Sequence, residues 1–195
     1  YNPAWKQETS LDDLPATNYI LSYGRLYDGI KDFSFLIHTF NVSGVWKDGV
    51  SLVIMGDGPD KKMLQDLAAS MPCNKHIVFL PFTKAPFGII QNARCVTLTS
   101  FYEGFPMVLV ESLSVGVPVI SLDIVSGPSE IIQHNYNGLL VKERDPEKFA
   151  DALGVICRDE VLYLKLKAQT QGSVQQFSMQ EISAKWDKLL QHVIR

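Results

Sequence analysis

Residues 96–122, VTLTSFYEGFPMVLVESLSVGVPVISL, decide the fold. A short apolar run at 96–99 opens the stretch, and another at 118–122 closes it. Between them Gly104-Phe105-Pro106 forms a junction, with proline near the first turn of a helix that starts at Met107. Val110, Leu113 and Val115 give that helix an apolar side, Gly116 stops it, and Pro118 opens the next strand. Strand, helix and strand in this order form one unit of a parallel sheet.

The pattern continues in both directions. Further short apolar runs lie at Tyr19–Tyr23, Ser51–Met55, 76–80 and Gly138–Val141. They are mostly continuous rather than alternating, as strands buried on both faces read. Helical spacing fills the gaps, with Phe33, Leu36, Ile37 and Phe40 in one and Met63, Leu64, Leu67 and Ala68 in another. Asp145-Pro146-Glu147 reads as an N-cap, a first-turn proline and a first-turn acid. From Asp159 on, two helices are expected, the last with Trp186, Leu189, Leu190 and Val193 on one apolar face. The predicted fold is α/β: a Rossmann-like parallel sheet of six strands with helices on both faces. Residues 1–16, polar and proline-bearing, read as an interdomain linker, and residues 17–195 as one domain with C-terminal helices.

Composition narrows the function. The 195 residues are 46% hydrophobic and 20% charged, as in an ordinary globular domain. A net charge of −3 gives no reason to expect nucleic acid or an anionic membrane as partner. Cys73, Cys95 and Cys157 lie far apart and read as buried thiols in a reducing compartment, rather than as metal ligands or a nucleophile. No apolar run approaches the ~20 residues that cross a bilayer. The chain opens Tyr1-Asn2-Pro3, without a Met, and reads as a piece of something longer.

Ligands of open parallel sheets bind beyond the carboxyl ends of the strands. Four strand exits are unusual. Gly24 permits a tight exit from the first strand, and Arg25 and Lys31 put two cations near the following helix. They suit a phosphate; the alternative is two solvated charges. Gly56-Asp57-Gly58 fails the dinucleotide fingerprint, because Lys61 stands where its third glycine belongs, and reads as a tight turn. In the opening stretch, amides between Gly104 and Val108 would point out of a helix start and suit a diphosphate. Glu103 and Glu111 flank them; a carboxylate accepts from two neighbouring hydroxyls, as on a ribose. The alternative is a surface acid and a satisfied structural acid. Ser126-Gly127-Pro128-Ser129-Glu130 starts one more helix, as a ligand-facing end or as a capped terminus.

These fragments, in this order, resemble the C-terminal domain of retaining group 1 glycosyltransferases of GT-B fold, which use nucleotide sugars. Ser22-Tyr23-Gly24-Arg25-Leu26 with Lys31 resembles the family's diphosphate loop, and Glu103 with Glu111 its acid–seven residues–acid motif. Ile54-Met55-Gly56-Asp57-Gly58-Pro59, His76-Ile77-Val78-Phe79-Leu80-Pro81-Phe82, Gly127-Pro128-Ser129-Glu130 and Asn137-Gly138-Leu139-Leu140-Val141 complete the series. Arg25 and Lys31 stand one residue further apart than is common in the family, and Pro81 replaces a frequent glycine.

The resemblance implies that Arg25 and Lys31 neutralise the donor diphosphate, Glu103 contacts the donor sugar and Glu111 the ribose. Gly24 and the stretch Gly104, Phe105, Pro106, Met107 and Val108 would hold sugar and phosphate, with Phe82 and Thr83 beside the base. It also implies no metal cofactor, and an acceptor site on an N-terminal domain that would carry any peripheral membrane association. The expected setting is cytoplasmic, at the inner face of the membrane, in surface polysaccharide synthesis. Two other classes compete: a nucleotide-sugar epimerase and a non-catalytic nucleotide-sugar-binding module. An epimerase usually needs additional acids and histidines, and His38, His76, His134 and His192 do not group with Glu103 and Glu111 in sequence.

Overall fold

A computed structural model describes residues 18–193; the linker expected over 1–16 lies outside them. Six strands form one all-parallel sheet in the order β3-β2-β1-β4-β5-β6. They are β1 (Tyr19–Tyr23), β2 (Ser51–Met55), β3 (Ile77–Leu80), β4 (Cys95–Leu98), β5 (Val119–Leu122) and β6 (Gly138–Val141). The helices are α1 (Asp28–Lys31), α2 (Phe33–Ser43), α3 (Lys61–Ser70), α4 (Phe87–Gln91), α5 (Met107–Ser114), α6 (Pro128–Ile131), α7 (Pro146–Arg158), α8 (Glu160–Ser173) and α9 (Met179–Val193).

Three expected strands differ by one residue: β3 and β5 each lose their first residue, and β4 moves at both ends, taking in Cys95 and ending at Leu98. His76 closes a 3-10 turn before β3. Beyond β4 the Thr99 hydroxyl donates to the carbonyls of Lys31 and Asp32 at 3.1 and 3.0 Å. Pro118 has no N–H for the ladder, so β5 starts at Val119, yet its carbonyl still accepts the Val96 N–H at 3.1 Å.

Successive strand side chains point to opposite faces, and each face has its own core. Ile20, Leu52, Ile54, Cys95, Ile120 and Leu139 pack with α2, α3 and α7, where Phe40, Leu64 and Phe149 are fully buried. Tyr19, Leu21, Val53, Val96 and Val119 pack against α4, α5 and α6 through Ile90, Leu109, Leu113 and Ile131. This two-sided burial explains the continuous apolar runs. Asp145 caps α7 by accepting the N–H groups of Glu147 and Lys148 at 2.8 and 3.3 Å. On α9, Trp186, Leu189 and Leu190 are exposed, and the side chain of Val193 lies outside the described ones. No described helix is long and apolar enough to cross a membrane.

The order reverses between β1 and β4, which pair only at Ile20↔Cys95 and Leu21↔Val96. Beyond that register side chains take over: the Ser22 hydroxyl donates to the Thr97 carbonyl at 3.1 Å, and Thr97 returns a bond to the Leu21 carbonyl at 3.4 Å. The strands part there, at the switch point where such sheets take ligands.

The loops leaving β1 and β2 meet backbone to backbone. Gly24 N–H bonds the Met55 carbonyl at 3.0 Å, Leu26 N–H the Asp57 carbonyl at 2.9 Å, and Asp60 N–H the Leu26 carbonyl at 3.1 Å. A Cβ on Gly56 would lie 1.9 Å from the Gly24 oxygen, and one on Gly58 2.3 Å from the Leu26 oxygen. The Gly-Asp-Gly turn is therefore a contact surface for the first loop. Gly56→Ala, which also meets a φ of +153°, is expected to cost at least about 2 kcal/mol in denaturant unfolding. Gly172→Ala, inside α8 with nothing within 4 Å of the new Cβ, should match the wild type or gain up to about 1 kcal/mol.

Cys73 and Cys95 are buried and Cys157 partly so, all three as free thiols. Burial pushes the Cys95 thiol well up and that of Cys157 up to about 11. At pH 8 the native chain is expected to react with iodoacetamide at these three positions at least about tenfold more slowly than the unfolded chain, read by mass spectrometry.

Candidate functional site

A cavity of about 970 Å³ opens beyond the carboxyl ends of β1, β2 and β3. Tyr23, Gly24 and Arg25 come from the β1 exit, Met55, Asp57 and Lys61 from the β2 exit, and Val108 and Glu111 from α5. The β3 exit supplies Pro81, Phe82, Thr83 and Lys84, followed by Pro86 and Phe87 at the start of α4. Phe82 and Phe87 are 55% and 52% exposed, so two flat apolar rings are presented on one wall. Such rings accept the face of a planar ligand.

The charges differ in how they are held. Among the described residues, Arg25 has no ion pair and is exposed. Lys61, at the start of α3, lies 3.8 Å from Asp57 in the preceding loop. Glu111 sits on α5, where Oε2 accepts the Tyr23 hydroxyl at 2.7 Å. The Tyr23 oxygen is also 3.2 Å from the Val108 carbonyl. Burial first, then the bond to the Glu111 carboxylate and its charge, raise the Tyr23 phenol far above its ordinary pKa, so it remains a proton donor.

Lys31 and Glu103 form a separate cluster next to the cavity. Lys31 Nζ donates to Glu103 Oε1 at 2.6 Å, and the Ser100 hydroxyl donates to the same oxygen at 2.6 Å. Both side chains are mostly shielded, at 23% and 13% exposure. Among the described residues Oε2 of Glu103 has no hydrogen-bond partner. The Glu103 carbonyl accepts from the Ser126 hydroxyl at 2.7 Å, which ties the β5 exit to this loop. Pro106 caps α5, and Met107 and Val108 begin it, so their N–H groups precede any in-helix acceptor.

Of the residues predicted from sequence, Gly24, Arg25, Phe82, Val108 and Glu111 share the cavity wall, whereas Lys31, Glu103, Gly104, Phe105, Pro106 and Met107 do not line it. The two cations are split: Arg25 faces the cavity and Lys31 is engaged by Glu103. The two acids also have different holders, a phenol for one and an ammonium for the other. The ring of Phe105 packs edge-on against Phe177 at 5.2 Å. Gly127 and Glu130 form a capped terminus, with the Gly127 N–H bonded to the Glu130 carboxylate at 3.2 Å. His38, His76 and His134 lie outside the cavity wall, and the side chain of His192 is not among the described ones. Among the described residues no group of three or more His, Cys, Asp or Glu is placed to hold a metal ion.

Sequence reasoning missed four contributors. Tyr23 read as part of a strand and of the loop resembling the family's diphosphate loop, but not as a partner of Glu111; Lys61 read only as a missing glycine, and Phe87 and Arg144 not at all. Arg144, from the β6 exit, pairs with Asp32 and donates to the carbonyls of Thr99 at 3.0 Å and Ser100 at 2.7 Å. Its guanidinium carbon stands 4.0 Å from the Phe101 ring centroid. Asp32 adjoins Lys31, and Ser100 holds Glu103, so one guanidinium braces both loops of the ion pair. Burial lifts the Asp32 carboxyl above its usual range, although the Phe35 N–H and Arg144 oppose the shift. No local signal marks Arg144, since its hydrogen-bond partners lie 44 to 112 residues away; an arginine in the loop between a strand and a helix is otherwise an ordinary surface residue. Arg144→Ala is expected to cost about 1–3 kcal/mol in denaturant unfolding, by leaving Asp32 Oδ2 and two carbonyls without this donor. Arg144→Lys should recover only part of this, because a compact ammonium lacks the planar fork.

The model of the family described as glycosyl transferases group 1 matches residues 5–172. The chain is 33% identical over 172 residues to the lipopolysaccharide 1,6-galactosyltransferase of Escherichia coli K12, covering 83% of this chain and 46% of that protein. It is 34% identical over 160 residues to the enzyme of the same description from Salmonella typhimurium, covering 77% and 42%. The chain thus spans about half the length of these relatives. Among solved structures, the apo lipopolysaccharide outer core galactosyltransferase WaaB superposes with a TM-score of 0.76 at 25% identity, covering 89% of this chain and 49% of that one. Anabaena HepE in complex with UDP superposes with a TM-score of 0.82 at 21% identity, covering 90% and 49%, which shows a shared fold.

Proposed function

This chain belongs to the group 1 glycosyl transferases, and we propose that it is the donor-binding half of a retaining enzyme of that family. It would move a sugar from a nucleotide-diphosphate sugar to a glycan or lipid-linked acceptor in surface polysaccharide synthesis. One observation carries the reading: a single cavity at the switch point unites the unpaired Arg25, the oriented carboxylate of Glu111 and the exposed rings of Phe82 and Phe87. A cation for phosphate, an acceptor for hydroxyls and a flat apolar wall match the three parts of a nucleoside diphosphate. The relatives that act on lipopolysaccharide support the acceptor class, and the UDP bound by HepE supports the leaving group.

In this reading the base lies beside Phe82, Thr83 and Phe87, and the ribose hydroxyls donate to Glu111. The diphosphate meets Arg25, Gly24 and the amides at the start of α5. Departure breaks the bond between the anomeric carbon and the phosphate oxygen, and the electron pair stays on the diphosphate. Arg25 and Lys31 face that growing charge. An ammonium has three donors, so Lys31 can keep Glu103 and still reach a phosphate oxygen. Glu103 Oε2 is left to accept from a donor-sugar hydroxyl, and Gly104 to Met107 border that sugar. The acceptor hydroxyl bonds the anomeric carbon as its proton passes to the departing diphosphate oxygen, which carries the electron pair of the broken bond. These cations and the helix start supply the electrostatic stabilisation, and no metal is assigned a part.

The acceptor site is assigned to a domain outside this chain, because relatives of about twice the length carry the whole activity. A lipid-linked acceptor would place the enzyme in the cytoplasm at the inner face of a membrane, held there by that domain. Calorimetry with UDP, GDP and ADP tests the donor site: one nucleotide should bind saturably, and Glu111→Ala should weaken it by about 1.5–3 kcal/mol through loss of a charged acceptor. Binding that is indifferent to Glu111 would remove the ribose role, and a partner-only scaffold would bind none of the three. Sugar transfer by this chain alone, at rates like those of an enzyme with both halves, would overturn the division of labour.

A further inference from the structure

Glu111 is not an isolated acid in its cavity. Its Oε2 accepts a 2.7 Å bond from the Tyr23 hydroxyl, while among the described residues Oε1 has no hydrogen-bond partner. Tyr23 closes β1, its ring packs against the core that also holds α5, and it lines the same cavity. A phenol has one proton. The carboxylate at 2.7 Å is closer than the Val108 carbonyl at 3.2 Å and is the stronger acceptor. A phenylalanine at position 23 would keep the ring against this core and remove the bond alone.

We infer that Tyr23 is a positioning residue that sets nucleotide specificity, fixing the Glu111 carboxylate so that its remaining lone pairs meet a ribose diol. The inference rests on the donor-site reading above. Glutamate has three rotatable side-chain bonds, and a free one gives up that freedom when a ligand binds. With one oxygen already tied to a rigid ring, less freedom is left to lose, and the other oxygen faces a fixed direction. A carboxylate held this way discriminates a sugar that offers two hydroxyl donors from one that offers a single donor. Were the acid loose, it would re-aim to whichever hydroxyl remained and discriminate less.

The test compares affinities of ribo- and 2′-deoxynucleoside diphosphates, in uracil, guanine and adenine pairs, for the wild-type chain and for Tyr23→Phe. Thermal unfolding confirms that the variant folds. The expected result is a wild-type preference for the ribonucleotide of about tenfold or more, as for loss of one hydrogen bond to a charged group. Tyr23→Phe should shrink that ratio to about threefold or less, mostly by weakening the ribonucleotide. In a Glu111→Ala background, where no side-chain acceptor remains for the phenol, Tyr23→Phe should change the ratio no further, which a general structural effect would not reproduce. An unchanged ratio in Tyr23→Phe overturns the inference, and so does an additive effect in the double variant. A wild type that binds nucleotides without regard to the 2′-hydroxyl overturns it while leaving the donor site standing. A wild type that binds none of the six overturns the donor-site reading and this inference with it.

Discussion

Two loops of this protein touch through bare backbone, and the site depends on that seam. The β1 and β2 exits share three main-chain hydrogen bonds, and the oxygens of Gly24 and Leu26 occupy the space that side chains at 56 and 58 would need. At positions 56 and 58 no side chain can adjust, so main-chain contacts set how closely the two exits approach there. Arg25 and Asp57 consequently line one cavity. Loops that carry binding residues are usually the mobile parts of a fold; here one is stapled to the other, and Asp60 extends the staple by accepting the Asp28 N–H at 2.7 Å.

A second brace works from the opposite side. Arg144 joins the β6 exit to the β4 exit and to Asp32, so the loops carrying Lys31 and Glu103 meet at a fixed distance. Thr99 and the Phe101 N–H, bonded to the Ile30 carbonyl at 2.8 Å, close the same junction. Between the seam and the brace lies the gap where β1 and β4 part. Arg25 faces it from the β1 exit, while Lys31 is engaged by Glu103. The two acids of the acid–seven residues–acid spacing are held by different neighbours. A strand-end tyrosine aims Glu111, and an ammonium with a serine aims Glu103.

Chain-local physics determined the architecture. Apolar runs of strand length, proline and glycine at helix boundaries, and caps such as Asp145 act within a few residues, so the six strands, their parallel arrangement and the starts of α5, α6 and α7 were legible. The loops after the strands could also be named as the site, because in a parallel sheet every carboxyl end emerges on one edge. What the sequence by itself could not determine is which groups are paired. Gly56 and Gly58 read as a turn, but their purpose is a contact with residues 24 and 26. Arg25 and Lys31 read as equivalent cations, yet only tertiary packing engages one with Glu103 and leaves the other facing the cavity. Tyr23 meets Glu111 across 88 positions, and Arg144 meets Asp32 across 112. Hydrogen bonds and ion pairs act over about 3 Å, and at such separations in the chain only the folded sheet decides which groups come that close.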